Sequence, residues 1–174
     1  MISELIRSYR LSKKHPGNLD FLDPVTRSFR VGFRDIDFNM HINNAKYLRF
    51  MERARWDHPV QTGAFNKMWK HKLNFIVAGI EIGFIREIKL FTKFDVETRY
   101  IGWDDKYFYM EQRLLVKGKI HAYAVVKSVF TQKGKVLSPQ KVMEYIPTQL
   151  RPEVLPEHME LWKNMSVAKR AYAS

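Results

Sequence analysis

From Leu73 to Thr131 the chain alternates apolar and polar residues with a period of two, long enough for several strands in succession. The runs "FDVETRYIGW", "KYFYMEQRLLV" and "KIHAYAVVKSVFTQ" are divided at Asp104-Asp105 and Lys117-Gly118, and the last stops at Lys133-Gly134. Such pairs suit tight reversals, so consecutive strands must run antiparallel. Ahead of them, "LNFIVAGIEIGFIREIKL" reads as one long strand or a bent pair. The alternation also sorts the faces. Phe108, Met110 and Leu114 oppose Tyr107, Tyr109 and Arg113, while Ala122, Ala124 and Val126 oppose Tyr123, Val125 and Lys127. A sheet with one apolar face needs something to cover it.

The cover is encoded just upstream. Tyr47, Phe50, Met51 and Ala54 fall at i, i+3, i+4 and i+7, which predicts a helix over residues 44–57. Asn43 or Asn44 is its natural N-cap, and Pro59 and Gly63 close the segment. Before it, "SFRVGFRD" sets Phe29, Val31 and Phe33 against Arg30, Gly32 and Arg34, a half-buried strand. Strand, helix, then consecutive antiparallel strands is an α+β order, with one helix on a strongly curved sheet. Edge strands of such a sheet are left unpaired, and a second copy would pair them.

The ends read as helical additions. "MISELIRSYRL" places Ile2, Leu5, Ile6 and Tyr9 on one face of a short helix packed on the body, ended by Pro16-Gly17. Ser138 caps a short helix that begins at Pro139. Pro147, Pro152 and Pro156 stiffen the following stretch, and "EHMELWKNMSVAKRAYA" is a terminal helix. The expected division is an extension at 1–27, a central domain at 28–146, and a tail with helix at 147–174.

With 174 residues, 45% hydrophobic and 28% charged, the chain is globular and holds one sizeable core. It has no cysteine, which removes disulfides, thiolate metal sites and a cysteine nucleophile, and suits a reducing compartment. Glu4, Arg7, Arg10, Lys13 and Lys14 interrupt any signal-like apolar core near the start. The longest uncharged apolar-rich run, Leu73 to Ile80, is far short of a membrane span. A cytoplasmic location is expected. The net charge of +12 is spread over the body, so it favours polyanionic partners such as phosphate-bearing coenzymes without marking a nucleic-acid tail.

The stretch "DIDFNMHINNAKYL" sits between the first strand and the helix. It opens like a calcium loop, but Met40 stands where that loop needs glycine and Lys46 where it needs glutamate. Asp37 and His41 have no second histidine at ligand spacing, so no metal is expected. A capped turn explains Asn43 or Asn44, but not the other polar groups. A helix N-terminus offers unpaired N–H groups and a positive dipole end, suited to a carbonyl oxygen that gains charge during attack. A nearby carboxylate can activate water or attack directly. The chain has no G-x-S-x-G elbow, G-x-G-x-x-G run or P-loop to compete with this reading.

These residues resemble the signature of hotdog-fold thioesterases, and are similar to the D-x-D-x-N-x-H-x-N-N-x-x-Y pattern of plant acyl-ACP thioesterases. The second aspartate is also where the 4-hydroxybenzoyl-CoA thioesterase family carries its catalytic carboxylate. A further run, "VETRYIGWDDKYFYMEQRLLV", resembles the family called thioesterase superfamily member six. Together the resemblances cover roughly residues 28–146. They imply a hotdog fold, a curved antiparallel sheet wrapped around one long central helix, and leave both ends unaccounted for; the helical segments added there rest on the patterns read above. They imply hydrolysis of an acyl thioester, of CoA or an acyl carrier protein, with no cofactor, by a dimer or dimer of dimers. Asp37 matches the catalytic aspartate, Asn39 the asparagine and His41 the histidine. Asn43, Asn44 and Tyr47 match the helix start, where a backbone N–H polarises the carbonyl. The acyl-ACP enzymes carry a further glutamate at a position that falls near Ile101 here, with Glu97 close by. The member-six family keeps the aspartate and histidine and lacks the asparagine. Two other functions fit parts of the pattern: a non-catalytic acyl-thioester or lipid binder, and, on charge alone, a nucleic-acid binder.

Overall fold

The computed structural model describes residues 2–14, 17–150 and 154–173. Pro16 and Pro152, read above as chain punctuation, lie outside them. The elements follow in the order α1 (Ile2–Lys14), β1 (Val25–Arg30), a 3-10 turn (Phe33–Asp35), α2 (Asn44–Arg55), α3 (Asp57–Gln61), α4 (Ala64–Lys70) and β2 (Leu73–Phe84). They continue with β3 (Lys93–Trp103), β4 (Phe108–Val116), β5 (Lys119–Gln132), β6 (Lys135–Val136), α5 (Pro139–Tyr145) and α6 (Glu157–Ala173). The strands form one antiparallel sheet in the order β1-β3-β4-β5-β2, with β6 against the end of β5. The sheet curls around α2, as the sequence predicts.

Period-two patterning sets what lies inside the curl. Phe94 and Val96 of β3, Leu114 of β4 and Ala122 and Ala124 of β5 meet Tyr47, Phe50, Met51 and Ala54 of α2. The alanines of β5 leave room for the helix, and the four residues of α2 are the predicted stripe. Further along the same face, Tyr100, Phe108, Met110, Val126 and Phe130 pack with Phe21, Leu22, Ala64 and, from α5, Val142. The opposite face is covered by α6, whose Met159 and Trp162 rest on Ile101, Tyr109 and Val125. Gly79 lies under this helix, and a Cβ there would stand in ordinary contact, 3.5 Å, with the Trp162 ring.

The predicted strand at 28–35 breaks early. Phe29 and Val31 turn inward, but the Asp35 carboxylate accepts the Gly32 N–H at 3.0 Å and winds the chain into the 3-10 turn. Phe33 therefore points out, 71% exposed. The long strand from Leu73 ends at Phe84: the Ile85 and Arg86 N–H groups both donate to the His121 carbonyl of β5, and residues 88–90 then brace the loop before α2. Two short helices, α3 and α4, replace the expected closure at Pro59 and Gly63. Pro59 lies in the first turn of α3, where no N–H is required of it. Gly63 takes φ 69 between the two helices, and Gly17 packs so tightly on it that a Cβ at 17 would lie 2.1 Å from the Gly63 nitrogen.

α1 does pack on the body, but not by the apolar face predicted for it. Ile6 and Tyr9 are exposed, whereas Ser8 and Ser12 are buried. Ion pairs turn the helix. Glu4 receives Arg27 and Arg53, each at 2.9 Å, and Arg7 pairs with the buried Asp57. Burial alone would push the Glu4 carboxyl up, but the Arg27 and Arg53 hydrogen bonds outweigh it and hold it below its ordinary value of 4.5. A carboxyl depressed in the folded state stabilises above its unfolded pKa, and that contribution is lost as pH falls through the folded value. Thermal melts should therefore show stability declining below about pH 5, with a shallower decline in Glu4→Gln. Identical acid limbs in the two proteins would show that Glu4 does not anchor α1.

Candidate active site

The segment from Asp35 to Asn43 is a braced loop. It is held on one side by residues 88–90: the Ile42 N–H donates to the Ile88 carbonyl at 2.9 Å, and the Leu90 N–H donates to the Met40 carbonyl at 3.0 Å. It is held at its base by the Asn43 N–H on the Asp35 carbonyl at 2.9 Å. Within the loop, the Asp37 N–H donates to the His41 carbonyl at 3.1 Å, and the Met40 N–H to the Asp37 carbonyl at 3.1 Å. Met40 takes a left-handed φ of 63 to close this turn.

The turn brings two predicted residues together. His41 Nδ1 stands 3.6 Å from Asp37 Oδ1, and both side chains are partly open, 27% and 19% exposed. The same Asp37 oxygen accepts the Asn39 N–H at 2.9 Å. Asn39 thus fixes the carboxylate through its backbone, while the residue as a whole is exposed. Next to the pair, α2 begins. The Asn43 side chain accepts the Ala45 N–H at 3.0 Å, and its carbonyl accepts the Lys46 N–H at 2.8 Å. No acceptor for the Asn44 N–H is found among the described residues. A carboxylate, an imidazole and an open N–H at the positive end of a helix therefore share one side of the fold.

Tyr47 lies beneath this loop, not in its opening. It is 3% exposed, and its ring packs edge-on against Phe84 at 4.9 Å. Burial raises its pKa, with the Asp37 and Glu87 charges acting in the same direction. Ile101, the position of the extra glutamate, is buried under α6 on the far face of the sheet. Glu97 lies on β3 between the inward residues Val96 and Thr98, and its carboxylate is 3.6 Å from Arg113. Neither joins Asp37.

Two features of the site escape a reading of the sequence. The backbone of residues 88–90 is the brace, and backbone carbonyls carry no residue signature. The second feature is an apolar collar. Phe33, Phe38, Met40 and Phe91 are 71%, 94%, 52% and 53% exposed, and the Phe33 and Phe91 rings meet edge-on at 5.1 Å. Alternation in "SFRVGFRD" places Phe33 inside, so its exposure is visible only once the 3-10 turn is known. No group of three metal-ligating side chains occurs among the described residues, and none of their helices is long and apolar enough to cross a membrane.

A curled antiparallel sheet around one helix, with an Asp–His pair at the helix start, defines a hotdog protein of the thioesterase class. The chain belongs to the thioesterase-like superfamily, whose profile matches residues 31–162. It is 36% identical over 110 residues to Protein THEM6 of Xenopus laevis, an alignment covering 63% of this chain and 52% of that one. The chain thus spans about half the length of the curated relatives it matches. Among solved structures it is similar to the probable thioesterase YbaW of Escherichia coli, with TM-score 0.66 and 24% identity over 72% of this chain and 98% of that one. A thioesterase from Thermus thermophilus, complexed with coenzyme A and Zn, is 29% identical with TM-score 0.57, covering 68% and 90% of the two chains.

Proposed function

We propose that this chain hydrolyses an acyl thioester, with acyl-CoA as the substrate, to a free acid and a thiol. The observation that carries the reading is the Asp37–His41 pair, 3.6 Å apart at the start of α2, in a chain of the thioesterase-like superfamily. Asp37 is the general base or nucleophile. His41 orients water or the substrate carbonyl, and Asn39 holds the Asp37 carboxylate. The open N–H at Asn44 faces the oxygen that gains charge, whereas the Asn43 N–H is taken by the Asp35 carbonyl and fixes the base of the loop instead; Tyr47 supports the loop from below. The coenzyme A bound to the Thermus thermophilus relative supports CoA over a carrier protein as the thiol. A panel of short, medium and long acyl-CoAs and acyl-ACPs, read by thiol release, tests this. Release from acyl-CoA is the expected result. Binding without release from any member favours the non-catalytic acyl binder, a reading supported by Glu97 facing Arg113 instead of Asp37.

The same proposal includes a homodimer or a dimer of dimers. Strand β2 is an edge of the sheet, with Ile76, Phe84 and the following Ile85 about half exposed, and the collar of Phe33, Phe38, Met40 and Phe91 is also uncovered. Exposed edges and contiguous apolar surface favour association. Sedimentation at micromolar concentration should give a multiple of the 20.8 kDa chain mass. A single species at the chain mass that still hydrolyses its substrate would exclude a site shared between copies.

A further inference from the structure

A second opening lies at the other end of α2. It is a cavity of about 490 Å³ between the C-terminal end of that helix, α3, α4 and the sheet. Its size falls within the roughly 300–1,000 Å³ of small-molecule sites. The loop from Asp35 to Asn43 contributes nothing to it, and its first α2 residue is Glu52. Asn44 and Arg55 are separated by about 16 Å of helix rise. The two sites are therefore distinct.

The walls are apolar and aromatic, with Phe75, Met110 and Phe130 from the sheet and Trp56, Phe65 and Trp69 from the helices. Into these walls the fold sets a cation. Arg55 donates one N–H to Gln112 Oε1 at 2.6 Å. Gln112 cannot turn away, because its amide nitrogen is fixed to Thr98 Oγ1 at 2.8 Å and to the Met51 carbonyl at 3.0 Å. A guanidinium has five N–H donors, and no carboxylate among the described residues forms an ion pair with Arg55. Glu52, one turn back on the helix, lines the cavity and favours the charge only at longer range. Burial is the dominant effect and lowers the Arg55 pKa to about 10. A cation set in an apolar wall without a bonded anion is costly, and an entering anion would relieve that cost.

A neutral donor stands close by. Tyr100 is 6% exposed and its ring is stacked on Phe21 at 4.4 Å, yet its hydroxyl forms no hydrogen bond with the described residues. His58 adds no competing charge. It is 1% exposed, and both ring nitrogens lack a hydrogen-bond partner among the described residues. Burial lowers its pKa to about 4; the Phe21 and Asp23 backbone pulls the other way, from outside hydrogen-bond geometry. The cavity therefore presents one cation and one free hydroxyl in a largely apolar enclosure, with Glu52 and Asn74 also in its lining.

We propose that this cavity binds an apolar carboxylate, a fatty acid in its free form, with its carboxylate on Arg55 and the Tyr100 hydroxyl and its chain along the aromatic walls. The two carboxylate oxygens match the fork of the guanidinium. The site stands whether or not the chain hydrolyses thioesters, because it shares no residue with the Asp37 loop.

The test uses the full chain with dodecanoate, and dodecanol as the neutral chain of equal length. Calorimetry should show dodecanoate binding about tenfold or more tightly than dodecanol. Arg55→Met, which keeps the bulk of the side chain, should bring dodecanoate down to the affinity of dodecanol. Tyr100→Phe, which removes only the hydroxyl, should weaken dodecanoate about three- to tenfold with the fold unchanged. The position is read by fluorescence. Of the four tryptophans, Trp56 and Trp69 line the cavity, while Trp103 and Trp162 do not. A dodecanoate brominated along its chain should quench the wild type and lose that quenching in Trp56→Phe/Trp69→Phe. Equal binding of acid and alcohol, unchanged binding in both Arg55→Met and Tyr100→Phe, or quenching retained in the double variant would each overturn the proposal.

Discussion

Asp37→Asn is expected to lower kcat for thioester hydrolysis by on the order of 10²-fold or more while leaving the fold in place. The substitution is nearly isosteric. Its side-chain oxygen can still accept the Asn39 N–H that Asp37 holds at 2.9 Å, so the turn through Met40 should persist. What disappears is the negative charge facing His41 Nδ1 at 3.6 Å, and with it the group able to accept a proton from water or attack the carbonyl. The loss should fall on kcat more than on KM, because the charge acts on the reacting atoms and not on the bulk of the acyl chain or the thiol. Thermal unfolding should change little, since Asp37 makes no buried ion pair. Hydrolysis at the wild-type rate would remove Asp37 from the role of catalytic carboxylate. It would leave the fold and family untouched.

The parts of this protein legible in the sequence are those set by local period. Strands β3 to β5 follow directly from alternation, and Asp104-Asp105, Lys117-Gly118 and Lys133-Gly134 mark their reversals. Lys117 and Lys133 take φ values of 49 and 50 ahead of their glycines, which is what such reversals demand. The stripe of Tyr47, Phe50, Met51 and Ala54 needs only the 3.6-residue repeat, and Ser138 and Pro139 announce α5 by their capping chemistry. The failures have equally local causes. α3 and α4 are five and seven residues long, too short for a repeat to emerge, and Pro59 and Gly63 mimic stops where they serve as a first-turn residue and a left-handed hinge. Periodicity picks the wrong face of α1 because ion pairs with Arg27, Arg53 and Asp57, distant in sequence, decide its rotation. At the Asp37 loop the residue types are legible, but their proximity depends on the left-handed turn at Met40 and on the brace from residues 88–90. The cavity is not legible at all: Arg55, Tyr100 and Gln112 meet only because β3 and β4 pair across α2.

Where an aromatic residue sits, and not merely that it is aromatic, should decide its contribution to stability. Phe94→Ala is expected to cost about 3–5 kcal/mol. Phe94 is 2% exposed at the point where β1, β3 and α2 converge: the Phe29 ring lies 5.7 Å from it and the Phe50 ring 5.0 Å, edge-on. Truncation removes the transfer energy of the ring and leaves a void that neither neighbour can fill, because Phe29 is fixed on a strand and Phe50 on a helix. Against a total stability of about 5–15 kcal/mol for a domain of this kind, that loss is large. Phe38 supplies the contrast. It is 94% exposed, so Phe38→Ser should change the stability of a single chain by no more than about 0.5 kcal/mol. Urea unfolding at chain concentrations low enough to separate any oligomer would measure both. The Phe94→Ala midpoint should fall with the slope unchanged, and the Phe38→Ser midpoint should stay in place. If Phe38→Ser instead lowers stability only as the concentration of chain is raised, its ring is buried against a second copy, and the collar around Asp37 is part of the assembly.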